Sequence, residues 1–259
     1  MQSMKNVRAK KHLGQHFLKD LSVAQQTADL ATKSGLNQWL EIGPGMGVLT
    51  QYLLHSDINL KAIDLDQESV EYLHKNYPDL DVVYGDFLKQ PLHTWFDGEF
   101  GIIGNFPYNI SSQIMFKTLE NRHIIPIFCG MFQLEVAQRI VSPPGNKTYG
   151  ILSVLVQCFY DVTIEIKIPP GAFAPPPKVH SAVILAKRNQ RNLEVDESLF
   201  FDVVKTAFQQ RRKTLSNALK KFNIPKDLVL QNPMFKLRAE RLTVDDFIEL
   251  TRFIAQHRN

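Results

Sequence analysis

Four short apolar segments in the first half of the chain end, one after another, on a residue or loop able to hold a ligand. Gln38–Ile42 runs into Gly43-Pro44-Gly45, and Asn59–Asp64 ends on Asp64 itself. Asp81–Tyr84 is followed by Gly85-Asp86-Phe87, and residues 100–104 run into Asn105-Phe106-Pro107-Tyr108. A fifth apolar segment covers 124–132, and helix-length segments at 46–55, 67–76, 111–121 and 134–141 lie between or after them. Strand and helix in regular alternation predict a parallel sheet with helices on both faces, because parallel neighbours need a crossover longer than a hairpin. In such a sheet a ligand sits at the carboxyl ends of the strands, where all four motifs fall.

Further along, 158–168 and 179–187 alternate apolar and polar residues, as expected of a strand pair closing one edge of the sheet. The intervening 169–178 is too rich in proline for regular structure. After residue 188 the periodicity becomes helical: Leu199, Val203 and Ala207 share a face with Phe200, Val204 and Phe208, and Val244, Phe247 and Ile248 open a last amphipathic helix. The organisation expected is a basic arm over 1–19, an α/β Rossmann-like domain over 20–188 and a small all-α domain over 189–259.

Charge follows the same division. The 259 residues carry a net charge of +4, yet 187–259 hold fifteen basic residues against nine acidic ones. The first 19 residues contain Lys5, Arg8, Lys10, Lys11 and Lys19 and no acid. A near-neutral middle between basic ends suits a polyanion gripped from both sides; solubility alone is the plainer reading. A hydrophobic content of 44% suffices for a sizeable core. No apolar run reaches membrane-spanning length and no signal-like segment opens the chain. Cys129 and Cys158, both in apolar runs, read as buried thiols of a reducing, cytoplasmic setting.

Gly43 and Gly45 allow the backbone to turn tightly beside a ligand. The pattern is G-x-G-x-G, without the cradle a pyrophosphate needs. Asp64, 21 residues after Gly43, can accept both hydroxyls of a ribose. Asp86 can accept from an adenine amine, and Phe87 can cover the ring. Together these describe an adenosyl ligand without phosphates, with Gly43 and Gly45 beneath an amino-acid tail; S-adenosylmethionine fits and NAD does not. Taken singly, each acid could be a solvated loop carboxylate.

Asn105-Phe106-Pro107-Tyr108 is suited to an exocyclic amine. The Asn105 side-chain carbonyl accepts one N–H, the Pro107 carbonyl accepts another, and Tyr108 offers a face for stacking. The structural alternative is a proline turn leading into a helix capped by Ser111 or Ser112. His16 lacks the partners of a metal site and is read as a hydrogen-bonding residue toward the cofactor or a surface histidine. Phe173 is a candidate second stacking ring or ordinary loop packing. Arg211, Arg212 and Lys213 form a basic knot at a helix start, suited to phosphate contact or to a solvated face.

Taken together these stretches resemble the KsgA family of small-subunit ribosomal RNA adenine dimethyltransferases. The resemblance rests on Lys11–Leu18, Glu41–Gly45, Gly104–Ser111, Phe173–Val179 and Gln210–Leu215, almost end to end. It implies S-adenosylmethionine held by Gln15, His16, Leu18, Gly43, Gly45, Asp64, Asp86, Phe87 and Asn105. It implies a target base gripped by Asn105, Pro107 and Tyr108, with Phe173 as second aromatic and Lys178, Arg211, Arg212 and Lys213 on the RNA. His16 stands where the family usually has Asn, Asp64 where Glu is commoner, Phe106 for Leu and Leu134 for Lys. The implied substrate is two adjacent adenines in a hairpin loop near the 3′ end of small-subunit rRNA, each dimethylated on N6 during late subunit assembly. A monomer in the cytoplasm, with neither metal nor membrane, is expected. Rival readings are a large-subunit adenine methyltransferase, an rRNA-binding assembly factor without turnover, and a DNA methyltransferase.

Overall fold

A computed structural model describes residues 7–258. The first six residues of the basic arm, Lys5 among them, lie outside the described residues. The contact pattern divides the chain into two units. One comprises the residues up to 137 together with 163–188; the other comprises 138–162 together with the residues from 189 on. The helical unit thus recruits a segment from mid-chain as well as the residues after 188.

The first unit opens with the short strand β1 (Phe17–Leu18) and helix α1 (Leu21–Thr32). Asp20 caps α1, its side chain accepting from the Ser22 and Val23 amides. Then come β2 (Gln38–Ile42), α2 (Thr50–Leu54), β3 (Asn59–Asp64), α3 (Gln67–Asn76), β4 (Asp81–Tyr84), β5 (Gly101–Asn105), α4 (Ser111–Glu120) and β6 (Ile127–Gln133). Helix α5 (Leu134–Ile140) and α6 (Ile151–Phe159) precede β7 (Tyr160–Ile168), β8 (Phe173–Ala174) and β9 (Ser181–Arg188).

Seven strands form one sheet in the order β4-β3-β2-β5-β6-β9-β7. The first five are parallel, and β9 runs antiparallel to β6. Successive strand side chains face opposite sides. One core cluster accordingly takes alternate residues, Leu60 and Ala62, Ile127, Cys129 and Met131, Val183 and Leu185, packed with Val23, Ala24 and Ala28 of α1 and Val70 and Leu73 of α3.

The expected strands over 38–42, 59–64 and 81–84 have the observed limits. Helix α2 starts four residues later than the expected 46–55, because Gly45 and Gly47 take left-handed backbone angles (φ 58° and 78°) incompatible with an α-turn. Strand β6 begins after Pro126, which has no amide to donate to a ladder. The expected strand from 158 begins at Tyr160, since Cys158 and Phe159 complete α6. That helix is apolar almost throughout and so shows no alternation.

In the second unit, α7 (Glu197–Gln209), α8 (Leu215–Ala218), α9 (Lys226–Gln231) and α10 (Val244–His257) follow α6. Asp196 caps α7, and Thr243 with Asp246 forms a reciprocal capping box on α10. Phe208 of α7 stacks on Phe247 of α10 with centroids 5.8 Å apart. Among the described residues no helix is long and apolar enough to cross a membrane.

Candidate active site

From β2 the chain moves outward through β3 to β4, then returns to the other side of β2 for β5 and β6. That reversal leaves a crevice at the carboxyl ends of β2 and β5. A cleft of about 190 Å³ occupies it, and Gly43, Asp64, Asp86, Phe87, Asn105 and Tyr108 are in its walls. Gln15, His16, Gly45 and Pro107 also reach it.

Two buried carboxyl groups brace the glycine turn beside the cleft. Gly43 has φ 68°, and its amide donates to Ile63 O at 2.9 Å. Asp64, only 7% exposed, accepts from the Gly45 amide (3.1 Å) and the Asp66 amide (2.8 Å). Burial pushes its carboxyl up to about 6, against the pull of those amides. Glu41 accepts from Thr50 Oγ1 at 2.7 Å across the glycine turn, tying the end of β2 to the start of α2. Burial pushes the Glu41 carboxyl up to about 8. Sequence reasoning gave Glu41 no role, although an acid in an apolar strand before a glycine loop was the available signal.

The Asn105 carboxamide is oriented by one hydrogen bond. Its Nδ2 donates to the His16 carbonyl at 2.8 Å. A carbonyl can only accept, so the amino group must face it and Oδ1 takes the opposite side. Phe106, next in line, is buried against Phe128 and Phe132, with centroids 5.2 and 5.6 Å away. Gly104 and Gly130 make room for this ring; a Cβ on Gly130 would lie 1.9 Å from it. The Pro107 carbonyl accepts from the Ile110 amide at 3.1 Å and keeps a second lone pair. The Tyr108 hydroxyl is hydrogen-bonded to Ser181 Oγ, and burial raises its pKa above the ordinary value, so it stays protonated. Helix α4 starts at Ser111 with Ile110 in the cap position, so the serines lie within the first turn; Ser111 Oγ donates to Tyr108 O at 3.2 Å.

Asp86 caps the turn at Phe87–Lys89 by accepting from the Leu88 amide at 3.0 Å. Lys117 of α4 closes the other end of that turn, which sequence reasoning missed. Its ammonium donates to Phe87 O, Leu88 O and Gln90 O at 2.7, 2.8 and 2.6 Å and lies 5.1 Å from the Phe87 ring centroid. All three ammonium protons are thus matched to carbonyls of the turn beside the cleft.

The arm is tied down as well. Lys10 forms an ion pair with Asp66, and Gln15 Nε2 donates to the same carboxylate at 3.1 Å. Gln15 Oε1 accepts from the Lys10 amide at 2.8 Å, so this side chain anchors the arm. Arg8, Lys11 and Lys19 remain exposed. His16 Nδ1 donates to Pro175 O at 2.8 Å, and its ring stacks on Tyr108.

Three expected positions differ: Phe173, Leu18 and Arg211. Phe173 is 0% exposed and belongs to the core cluster with Leu18, so no face is open for stacking. Its strand β8 pairs with β1, Leu18 opposite Phe173, and buries both side chains. Leu18 borders a small cavity beside Glu41 and Asn105 and stays outside the main cleft. Arg211 donates to Glu240 Oε2 (3.1 Å) and Asn146 O (3.2 Å), while Arg212 and Lys213 are exposed in the turn between α7 and α8. Lys178 is exposed. Within the second unit, Lys236, Arg238 and Arg241 line a further cleft of about 390 Å³. Sequence reasoning gave only the net charge there, because the three cations fall on separate short turns.

The profile of the family described as ribosomal RNA adenine dimethylase matches residues 6–256. The chain belongs to the ribosomal RNA adenine dimethylase family. It is an S-adenosylmethionine-dependent methyltransferase of rRNA adenines, as the resemblance implied. The ribosomal RNA small subunit methyltransferase A of Cytophaga hutchinsonii is 53% identical over 97% of this chain and 99% of its own length. The crystal structure of a dimethyladenosine transferase from Plasmodium falciparum covers 93% of this chain and 98% of its own, with TM-score 0.80 and 25% identity. The crystal structure of the 23S rRNA methyltransferase ErmE shares the fold, with TM-score 0.69 and 22% identity over 91% of this chain and 99% of its own.

Proposed function

We propose that this member of the family transfers methyl groups to N6 of two adjacent adenines in a 3′-terminal hairpin loop of small-subunit rRNA, two methyls to each, in late subunit assembly. It acts as a cytoplasmic monomer whose partners are that rRNA and the small ribosomal subunit. The orientation of Asn105 carries the reading, because it leaves Oδ1 to accept an N–H while Nδ2 is committed to His16.

Bound S-adenosylmethionine supplies an electrophilic methyl on a sulfonium, so the protein's task is to prepare the nucleophile. The adenine N6 lone pair is delocalised into the ring. Asn105 Oδ1 and the second lone pair of the Pro107 carbonyl accept the two amine hydrogens, draw the nitrogen toward tetrahedral geometry and favour the charge that develops on it; after the transfer one N–H proton passes to water. Tyr108, held by Ser181, supplies the flat face that fixes the ring. Asp64 accepts from the ribose hydroxyls, Asp86 from the cofactor's adenine amine, and Phe87 covers that ring. Gly43, Gly45 and His16 would hold the cofactor's amino-acid tail. A loop base can be extruded at less cost than a paired one, which suits a hairpin target.

Arg212, Lys213 and Lys178, with Lys236, Arg238 and Arg241, are placed on the phosphate backbone, where they position the RNA without reading bases. Incubation with isolated small and large subunits lacking these methyl groups tests the choice of substrate. Methylation confined to small subunits supports it, methylation of large subunits overturns it, and binding without methyl incorporation marks an assembly factor.

A further inference from the structure

We propose that the His16 imidazole occupies the target-base face of Tyr108 in the free protein and is displaced by the incoming adenine. This rests on the reading of Tyr108 as the plate for that base.

The His16 and Tyr108 rings stack with centroids 5.4 Å apart and planes at 25°. A base inserted between two rings needs two contact intervals, about 7 Å or more in all. The ring and the base are therefore alternative occupants of this face. His16 and Tyr108 both line the cleft together with Asn105 and Pro107, the residues of the amine grip.

The backbone at His16 is held on both sides. Gly14 has φ 67° and packs so closely on Asn109 that a Cβ there would lie 2.7 Å from Oδ1. Phe17 and Leu18 pair with Ala174 and Phe173. Tyr108 is held by its hydroxyl. Displacement is then a rotation of one side chain, which gives up the ring stack and the bond from Nδ1 to Pro175 O. One residue thus has two separable parts: a carbonyl that orients the catalytic carboxamide, and a ring that competes with the substrate.

The test is steady-state methylation of unmethylated small subunits by the full chain carrying His16→Ala, His16→Phe or Tyr108→Ala. Removing the competitor lowers the KM for subunits in His16→Ala by about 3- to 10-fold, the range of an aromatic pair. A larger, more apolar ring raises it in His16→Phe. A general loss of folding would not move the two His16 variants in opposite directions. A raised KM in His16→Ala, as for a ring that sandwiches the base, overturns the proposal, and so does an unmoved KM in both. If Tyr108→Ala raises the KM while the His16 variants leave it alone, displacement fails and the plate stands; if all three leave it alone, the plate fails too.

Discussion

The Asn105 side chain and the His16 backbone are joined by a single 2.8 Å hydrogen bond from Nδ2 to the carbonyl oxygen. It spans 89 residues of sequence and decides which end of the carboxamide faces the cleft. Asn105→Ala removes the acceptor and should lower the methylation rate by about 10²- to 10³-fold, the range for loss of one pre-oriented transition-state contact. Asn105→Asp should be no better, because a carboxylate oxygen would then face the His16 carbonyl. Calorimetry should show S-adenosylmethionine still binding both variants, and near-normal turnover by either would remove Asn105 from the chemistry.

Asp64, on the cofactor ribose as proposed, should make cofactor affinity depend on pH. Its ionised form accepts from ribose hydroxyls better than the neutral acid, and burial holds its carboxyl up at about 6. Affinity should therefore fall as pH drops below about 6, approaching tenfold per unit, and binding should release protons there. The stability contribution has the other sign. A carboxyl raised above its unfolded value near 3.8 favours the fold at low pH, and that contribution is lost as pH rises through about 6. Titration calorimetry between pH 5 and 8 tests the linkage, and Asp64→Asn should bind weakly with little pH dependence.

Lys117 is expected to act on cofactor binding through the turn it holds. Lys117→Met keeps most of the side-chain volume and leaves three carbonyls without their ammonium partner. Partly exposed carbonyls recover some solvation, so a stability loss of about 1–3 kcal/mol is expected. The KM for S-adenosylmethionine should rise, while the KM for subunits at saturating cofactor should not. An unchanged cofactor KM would make Lys117 structural only.

Much of this was legible in the sequence. Strand limits at 38–42, 59–64 and 81–84 follow from short apolar runs bounded by glycine or charged turns, and the four motifs fall where a parallel sheet puts its carboxyl ends. Three kinds of feature were not legible. The short pairing of β1 with β8 joins residues more than 150 apart and buries Phe173, deciding between a stacking ring and ordinary packing, which the sequence left open. Helix α6 is apolar except for Ser153 and Gln157, a short run that sequence alone does not separate from a buried strand. The roles of Gln15 and Arg211 depend on carboxylates brought to them by folding, Asp66 and Glu240.

Phe106 shows how packing reaches the site. Its ring lies over Gly130, where a methyl would overlap it. Gly130→Ala should cost about 1–3 kcal/mol by overpacking and should lower the methylation rate, since Phe106 sits between Asn105 and Pro107. Thermal unfolding and initial rates measure the two effects. An unchanged rate in a destabilised protein would separate the core from the active site.

The most direct measurement is nucleotide-by-nucleotide mapping of methyl groups on rRNA from unmethylated small subunits after incubation with this protein and S-adenosylmethionine. Two methyls on N6 of each of two adjacent hairpin-loop adenines are expected, with at least about 10²-fold less incorporation at equal early times with Asn105→Ala. Methyl groups at other positions, or the same extent of methylation by Asn105→Ala at equal early times, would contradict the amine grip on which the chemistry depends.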